Sequence, residues 1–173
     1  YMADAGTITL DVAILPDDIA KTLTDETFVY TPADSTEGWY YKLTVVAGSD
    51  GKLIARQSYL QKGSGVTGTL VGANMPTVAA DDKVKFLFVK NTGFTEDGTT
   101  ANTTDSIYIC FDGGTTTGTL GDAIEIGPGE SWYGKFTSLT VENLKCIAAV
   151  KAGGGGTIKK VQAIVAAVLD DVG

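Results

Sequence analysis

The chain is dominated by short runs in which apolar and polar residues alternate, the two-residue period of a half-buried β-strand. The first such run is Thr7–Leu15, and the last, Ile158–Leu169, is apolar at both parities. A strand that is apolar on both faces belongs in the middle of a sheet or beneath a partner subunit. The other predicted strands are Thr27–Thr31, Trp39–Ala47, Leu53–Leu60, Lys83–Lys90, Ser106–Phe111, Ala123–Ile126, Trp132–Phe136 and Lys145–Val150.

Turn residues separate these runs. Asp50-Gly51 predicts a hairpin between the strands on either side of it, because glycine supplies the positive φ that such a turn needs. Pro128-Gly129 has the two central residues of a type II turn and predicts a second hairpin. The segment Val141–Leu144 is expected to form a single helical turn at most.

About nine or ten short strands without a long helix predict an all-β fold, an antiparallel β-sandwich of jelly-roll type. The sandwich is expected to form one domain over residues 1–173, with residues 1–6 as a flexible or extended N-terminal arm. The inward parity of the strands predicts core positions at Ile8, Leu10, Val12, Val84, Phe86, Phe88, Ile107, Ile109 and Val165.

Composition supports this fold class. Fifty of the 173 residues are Thr, Val or Ile, and 22 glycines but only four prolines punctuate them. A chain of this length buries a sizeable core without a metal or a disulfide. Cys110 and Cys146 both lie in apolar runs, which favours buried free thiols over a disulfide.

Charge is unevenly distributed along the chain, which carries a net −8. Residues 1–50 carry −7, residues 51–90 carry +4 and residues 91–173 carry −5. The acidic balance argues against a nucleic-acid partner, because a phosphate backbone would be repelled. The longest apolar run, Ala163–Leu169, is too short to span a bilayer, so no membrane partner is expected. Such charge segments usually reflect solvated strand faces, but they can also set the register of a homo-oligomer.

The sequence contains no histidine, which removes Ser-His-Asp and Cys-His catalysis and any histidine-ligated metal centre. Acidic residues occur as adjacent pairs, whose side chains point to opposite faces of a strand and do not converge as glycosidase carboxylates must. We therefore expect no enzymatic activity, no catalytic residues, no metal and no cofactor.

Two loops are candidate contact sites. Asn91–Asp105 is polar and longer than most connections, and Gly113–Gly121 is rich in glycine and threonine. The candidate partner-contact residues are Asn91, Phe94, Glu96, Asp97, Asn102, Asp105, Thr115, Thr117 and Leu120. A second candidate is a sugar-stacking aromatic patch, although strand aromatics are more often core residues and cross-strand pairs. The patch comprises Trp39, Tyr41, Trp132 and Tyr133.

The segment Val89 to Val172 resembles the C-terminal half of small structural proteins of tailed-bacteriophage virions. The resemblance is carried by five motifs: Asn91-Thr92-Gly93, the run from Ile107 to Gly114, the Ile-Gly-Pro-Gly-Glu-Ser turn at 126–131, Val141-Glu142-Asn143-Leu144, and a last strand that closes near Asp170-Asp171-Val172.

The resemblance implies a non-enzymatic capsid decoration (cement) or accessory protein with a jelly-roll-like fold. Its partners would be further copies of itself, as a homo-oligomer and most often a trimer, together with the major capsid protein or other virion proteins. It would be synthesised in the host bacterial cytoplasm and would reside on the virion surface. The alternative is a carbohydrate-binding β-sandwich module on a phage or cell surface. Deleting Thr95–Thr103 is expected to leave folding intact and to weaken attachment to the particle.

Overall fold

Strands dominate the computed structural model, which describes residues 6–10, 26–30, 37–49, 51–54, 78–113, 123–150 and 160–170. Within these residues a single 3-10 turn, Val141–Asn143, follows the eighth of ten strands. The strands are β1 (Gly6–Leu10), β2 (Glu26–Tyr30), β3 (Glu37–Val46), β4 (Gly51–Lys52), β5 (Lys83–Thr95), β6 (Asp105–Cys110), β7 (Ile124–Ile126), β8 (Ser131–Thr140), β9 (Lys145–Val150) and β10 (Val161–Asp170).

The chain divides into two compact units, Tyr1–Glu37 and Gly38–Gly173. The first contains an antiparallel pair of strands, β1 and β2, in which Ile8 lies opposite Phe28. Gly6 already belongs to β1, so the strand begins inside the predicted arm, of which residues 1–5 lie outside the described part. The predicted core roles of Ile8, Leu10 and Val12 also fall outside the described side chains.

The second unit is an all-β sandwich of two four-stranded antiparallel sheets, which confirms the predicted fold class. One sheet has the order β3-β10-β5-β8 and the other has the order β4-β9-β6-β7. Successive strands alternate between the two sheets, except that β6 and β7 share one. This is the strand order of an eight-stranded jelly roll. The last strand, β10, lies between β3 and β5, so the prediction of a central position for the strand that is apolar on both faces is confirmed.

The hairpin predicted at Pro128-Gly129 is wrong, because the turn there joins β7 to β8, which belong to different sheets. At the other predicted hairpin, Gly51–Lys52 forms β4 in the sheet that does not contain β3, while residues 55–60 of the predicted partner strand Leu53–Leu60 lie outside the described residues. The local geometry at Pro128 is nonetheless that of a type II turn, with Gly129 at φ +81° and the Glu130 N–H donating to the Gly127 carbonyl at 3.0 Å. Turn chemistry fixes the local bend, whereas the sheet that receives the next strand is set by tertiary packing.

A β-bulge changes which residues of β5 face the core. Val84 pairs with Leu169 of β10, but Phe86 pairs with Val168, so β5 contains one more residue than β10 at Lys85. Beyond this bulge the inward positions are Leu87 and Val89, both fully buried in the core cluster. Phe86 is buried, with 3% exposed, in agreement with its predicted core position, although it lies outside the core cluster between the sheets. Phe88 is only half-buried and has the parity opposite to that of Leu87 and Val89, so its predicted inward position is wrong.

The core lies between the inward faces of the two sheets. Predicted core residues Val84, Ile107, Ile109 and Val165 are fully buried there. β10 contributes the alternating set Val161, Ala163, Val165, Ala167 and Leu169. Where the sheets meet at one side, Phe111, Trp132 and Phe136 pack against the core with ring centroids 5.1 to 6.1 Å apart.

Cys110 and Cys146 are buried free thiols, as predicted. They lie on neighbouring strands, where Cys146 pairs with Ile109 and Cys110 pairs with Lys145. Cys146 belongs to the core cluster together with Ile109, so Cys110, one residue further along β6, faces the other side of the sheet. Two thiols on opposite faces do not meet the geometry of a disulfide.

Within the described residues, no helix is long and apolar enough to cross a membrane.

The bulge makes opposite predictions for two neighbouring residues of β5. Leu87→Thr should lower the free energy of unfolding by about 2–5 kcal/mol, because it places a hydroxyl and a void in the core. Phe88→Thr should cost only about 1 kcal/mol, because Phe88 is half-buried on the other face. Urea unfolding of both variants measures the two losses in unfolding free energy. A larger loss for Phe88→Thr than for Leu87→Thr would contradict the bulge and favour an uninterrupted alternation along β5.

Candidate functional site

The candidate site is built where β5 ends, β6 begins and β7 turns into β8. We call residues 91–104 together with residues 127–130 the loop end. Strand β5 continues to Thr95, so residues 91–95 are strand and only residues 96–104 connect β5 to β6. The prediction that Asn91–Asp105 is entirely a surface loop is therefore wrong. Asn91, Asn102 and Asp105 are buried, with exposed fractions of 0, 2 and 1%.

Asn91 uses its backbone and its side chain to tie three elements together. Its amide nitrogen Nδ2 donates to the backbone carbonyls of Asp105 on β6 and Ile126 on β7, both at 3.2 Å. Its backbone N–H donates to the Glu130 carbonyl at 3.0 Å, and its own carbonyl accepts from the Gly129 N–H at 3.1 Å. One buried residue of the first sheet thus satisfies backbone groups of the second sheet and of the turn that joins the two.

Asn102 closes the connection from the other side. Its Nδ2 donates to the same Asp105 carbonyl at 3.1 Å, and its Oδ1 accepts from the backbone N–H groups of Thr104 and Asp105. The Asn102 backbone N–H donates to the Gly93 carbonyl at 2.8 Å. Asn91 and Asn102, which the polar composition of the segment assigned to a surface loop, are therefore buried parts of the fold. Their short amide side chains bond backbone groups that have no partner on a neighbouring strand.

Gly93 lets the end of β5 and the turn at 127–130 approach each other. Its φ of +77° lies in the left-handed region, and a Cβ there would lie 3.4 Å from the backbone nitrogen of Gly129. The turn is held by its own acid, since Glu130 Oε2 accepts from the Gly127 N–H at 2.8 Å. Sequence reasoning did not select Gly93, Pro128 or Glu130 as site residues, although the glycine of Asn91-Thr92-Gly93 was the available signal.

Asp97 organises the exposed tip of the loop end. Its Oδ1 accepts from the backbone N–H groups of Thr99 and Thr100, both at 2.8 Å, and from the Thr95 hydroxyl at 3.0 Å. Its Oδ2 accepts from the Thr100 hydroxyl. The hydrogen bond from the Thr100 hydroxyl and those from the Thr100 and Thr99 N–H groups hold the pKa of Asp97 well below its ordinary value, since they favour the ionised form.

The outward surface of the loop end combines an aromatic ring with an ion pair. Phe94 is 39% exposed, which makes it one of three large apolar side chains exposed within the described residues. Glu96 Oε2 lies 2.8 Å from Lys160 Nζ, which precedes β10, and both side chains are more than half exposed. Phe94, Glu96 and Asp97 are therefore the predicted contact residues that the structure leaves accessible, while Thr115, Thr117 and Leu120 lie outside the described residues.

Of the predicted aromatic patch, the structure describes two side chains, Trp132 and Tyr133, and it places them on opposite faces of the sheet. Trp132 pairs with Val89 and packs on the core side, whereas Tyr133 pairs with Phe88 on the outer side of the sheet. Adjacent strand residues face opposite ways, so these two rings cannot form one stacking surface. The side chains of Trp39 and Tyr41 lie outside the described part. Among the residues that the structure covers, no group of three or more His, Cys, Asp or Glu side chains is gathered to hold a metal ion.

Comparison of the chain with protein-family profiles, with curated proteins and with solved structures finds no match.

Removing the Asn91 amide should destabilise the sandwich. Asn91→Ala leaves the buried Ile126 carbonyl without the side-chain donor, so we expect a loss of about 2–4 kcal/mol in the free energy of unfolding. The control Asn143→Ala changes an exposed asparagine and should stay within about 0.5 kcal/mol. Chemical denaturation measures both, and equal losses would show that the buried amide has no special role.

The lowered pKa of Asp97 predicts how its contribution to the free energy of unfolding changes with pH. A carboxyl whose pKa is lower in the folded chain stabilises the fold while it is ionised, so its contribution is complete above the unfolded pKa of about 3.9. The contribution is lost as the pH falls from there through the lowered folded value. The difference in unfolding free energy between the wild type and Asp97→Asn should be constant at neutral pH and shrink below about pH 4. A difference that is independent of pH would contradict this role.

Proposed function

We propose that this chain is a structural component of a tailed-bacteriophage virion, a capsid decoration (cement) protein that binds the outer shell as a homo-oligomer through its loop end. The observation that carries the proposal is the construction of that end. An exposed aromatic ring at the end of β5 and the exposed ion pair of Glu96 with Lys160 lie beside a connection whose acid, Asp97, already accepts hydrogen bonds from the chain's own backbone. The reason for proposing a virion as the particle that this end binds is the resemblance of residues 89–172 to virion structural proteins.

Pre-organisation favours such a role. A loop that is ordered before binding loses little conformational entropy on contact, so the interface free energy goes into affinity. Phe94 offers the kind of aromatic anchor that dominates interface energetics, and the charges of Glu96 and Lys160 beside it fit a polar rim. Asp97 and Asn102 form their hydrogen bonds with the chain's own backbone. Because these bonds hold the loop in one conformation, the loop end suits a rigid protein-binding surface better than a ligand pocket.

The partners that we propose for the loop end are those that the resemblance implies. The contacts would be with the major capsid protein or another virion protein, and with further copies of the chain, most often as a trimer. The protein would be made in the host bacterial cytoplasm and would act on the virion surface without catalysis.

The structure changes how this contact should be tested. Deleting Thr95–Thr103 would remove Asn102, a buried residue whose side chain bonds the start of β6, so we expect this deletion to destabilise the fold as well as to change the surface. Point variants at the outward surface avoid the problem, because Phe94 and Glu96 are exposed.

We predict that Phe94→Ser and Glu96→Lys each weaken binding of the full chain to virions by about tenfold or more, as loss of an interface anchor or reversal of a rim charge does. The matched control is Glu142→Lys, which changes an exposed glutamate that also pairs with a lysine, Lys52 at 3.7 Å, but lies on the 3-10 turn. Co-sedimentation with particles that lack the protein measures occupancy.

Three outcomes separate the possibilities. Loss of binding in both loop-end variants with a normal control supports the proposal. Wild-type occupancy for all three variants would reject the loop end as the contact. Absence of the wild-type chain from every particle fraction, together with a glycan signal on an array, would replace the virion role by carbohydrate binding.

A further inference from the structure

Strand β5 contains a second β-bulge, at the point where it enters the loop end. Its pairing with β10 stops at Asn91 and resumes at Thr95. Between these two pairs, the three residues Thr92–Phe94 lie opposite the single residue Gln162. Extra residues of this kind bend a strand and change the direction of its side chains. Because Phe94 lies in the bulge and is 39% exposed, the bulge sets the direction of the ring that the loop end presents.

The side chain of Thr92 connects the two strands across this bulge. Its hydroxyl oxygen Oγ1 accepts from the Phe94 N–H at 3.3 Å, and the same hydroxyl donates to the Gln162 backbone carbonyl at 3.0 Å. A hydroxyl accepts and donates through one atom, which a methyl group in its place cannot do. We call this pair of hydrogen bonds the Thr92 clamp. It joins the backbone of the exposed aromatic residue to the backbone of β10.

Gln162 gives the Thr92 clamp a fixed base. Its neighbours on β10, Val161 and Ala163, are fully buried in the core cluster, whereas Gln162 is half-buried. Its side-chain oxygen Oε1 lies 3.2 Å from Thr92 Oγ1. A Cβ on Gly98 would lie 2.7 Å from Gln162 Nε2, so the tip of the loop end rests against this amide. The clamp and the tip therefore share one support on the central strand of the sheet.

Beyond the bulge, the tip forms hydrogen bonds within itself. The Thr95 N–H donates to the Thr100 carbonyl at 2.9 Å, and Phe94 forms an isolated antiparallel bridge with Ala101. These contacts order the tip but do not join it to β10. The ion pair of Glu96 with Lys160 does join the two, but an exposed ion pair contributes little free energy. The Thr92 clamp is therefore the contact that fixes the ring relative to the sheet.

We propose that Thr92 and Gln162 are positioning residues of the loop end, which hold Phe94 in the orientation that its partner binds. Without the clamp the ring would sample several orientations, and selecting one of them on binding would reduce the affinity. The inference rests on the proposed function in one respect, since the virion is the partner that Phe94 contacts. It assigns a role in binding to two residues that act through Phe94.

Hydrogen exchange tests the clamp without any particle. Thr92→Val replaces the hydroxyl by a methyl group, so the Phe94 N–H loses its acceptor and should exchange at least about fivefold faster in NMR spectra of the full chain. Thr92→Ser keeps the hydroxyl and should exchange within about twofold of the wild-type rate. Thr137→Val is the matched control, because it makes the same change at an exposed threonine of β8. Circular dichroism checks folding, and an unchanged rate in Thr92→Val would overturn the inference.

A double-mutant cycle on particle binding shows whether Thr92 and Gln162 act through Phe94. Thr92→Val and Gln162→Leu should each weaken binding to particles that lack the protein by about fivefold, measured by co-sedimentation. In a Phe94→Ser background the same changes should alter binding by less than about twofold, because the ring that they position is absent. Thr92→Ser should bind like the wild type. Equal losses in both backgrounds, or no rescue by serine, would overturn the inference.

The two measurements separate this inference from the proposed function. A wild-type chain that binds no particle would reject the decoration role, while faster exchange in Thr92→Val would still support the clamp. Wild-type binding by Phe94→Ser would reject both the loop end as the contact and the positioning role. Binding that requires Phe94 but is unchanged in Thr92→Val and Gln162→Leu would reject the positioning role alone.

Discussion

A sandwich must satisfy its backbone polar groups at the point where its two sheets part, and in this chain the buried amide of Asn91 meets that constraint. Its donors reach β6 and β7 in the opposite sheet, while its own backbone holds the turn before β8. An unsatisfied carbonyl at this depth costs more free energy than an ordinary hydrogen bond contributes. The contacts of Asn91 also include Gly93, whose N–H donates to the Asn91 side-chain oxygen, and the turn at Gly129 and Glu130.

The second determinant of the surface is the bulge at Lys85. One extra residue in β5 directs Leu87 and Val89 inward and places Phe86 and Phe88 on the side of the sheet away from the core. The same sheet consequently has two apolar faces, and only one of them forms the core. On the side away from the core, Phe88 of β5 lies between Ala166 of β10 and Tyr133 of β8.

Periodicity was a good guide to strands and a poor guide to connections. The run Lys145–Val150 and the central place of β10 could be predicted because alternation and two-sided apolarity are properties of a strand alone. The connection between β7 and β8 could not be predicted, since a type II turn at Pro128 bends the chain equally well within a sheet or between sheets. Asn91 and Asn102 were assigned to a loop because amide side chains are typical of loops. Their burial could not be predicted, because it depends on backbone carbonyls that lie on other strands. Trp132 and Tyr133 show the opposite case, where strict alternation alone separates two rings that are adjacent in sequence.

The position of β10 has a consequence for how the chain reaches this fold. The strand inserts between β3 and β5, yet of the described strands it is synthesised last, more than a hundred residues after β3. Until it arrives, β3 and β5 each leave an unpaired edge, and the central row of the core is missing. Pairings between such distant residues form slowly, and open strand edges are prone to aggregate while they wait. Completion of the sandwich therefore waits for β10, and the rate at which this strand inserts sets the time during which the open edges of β3 and β5 are vulnerable.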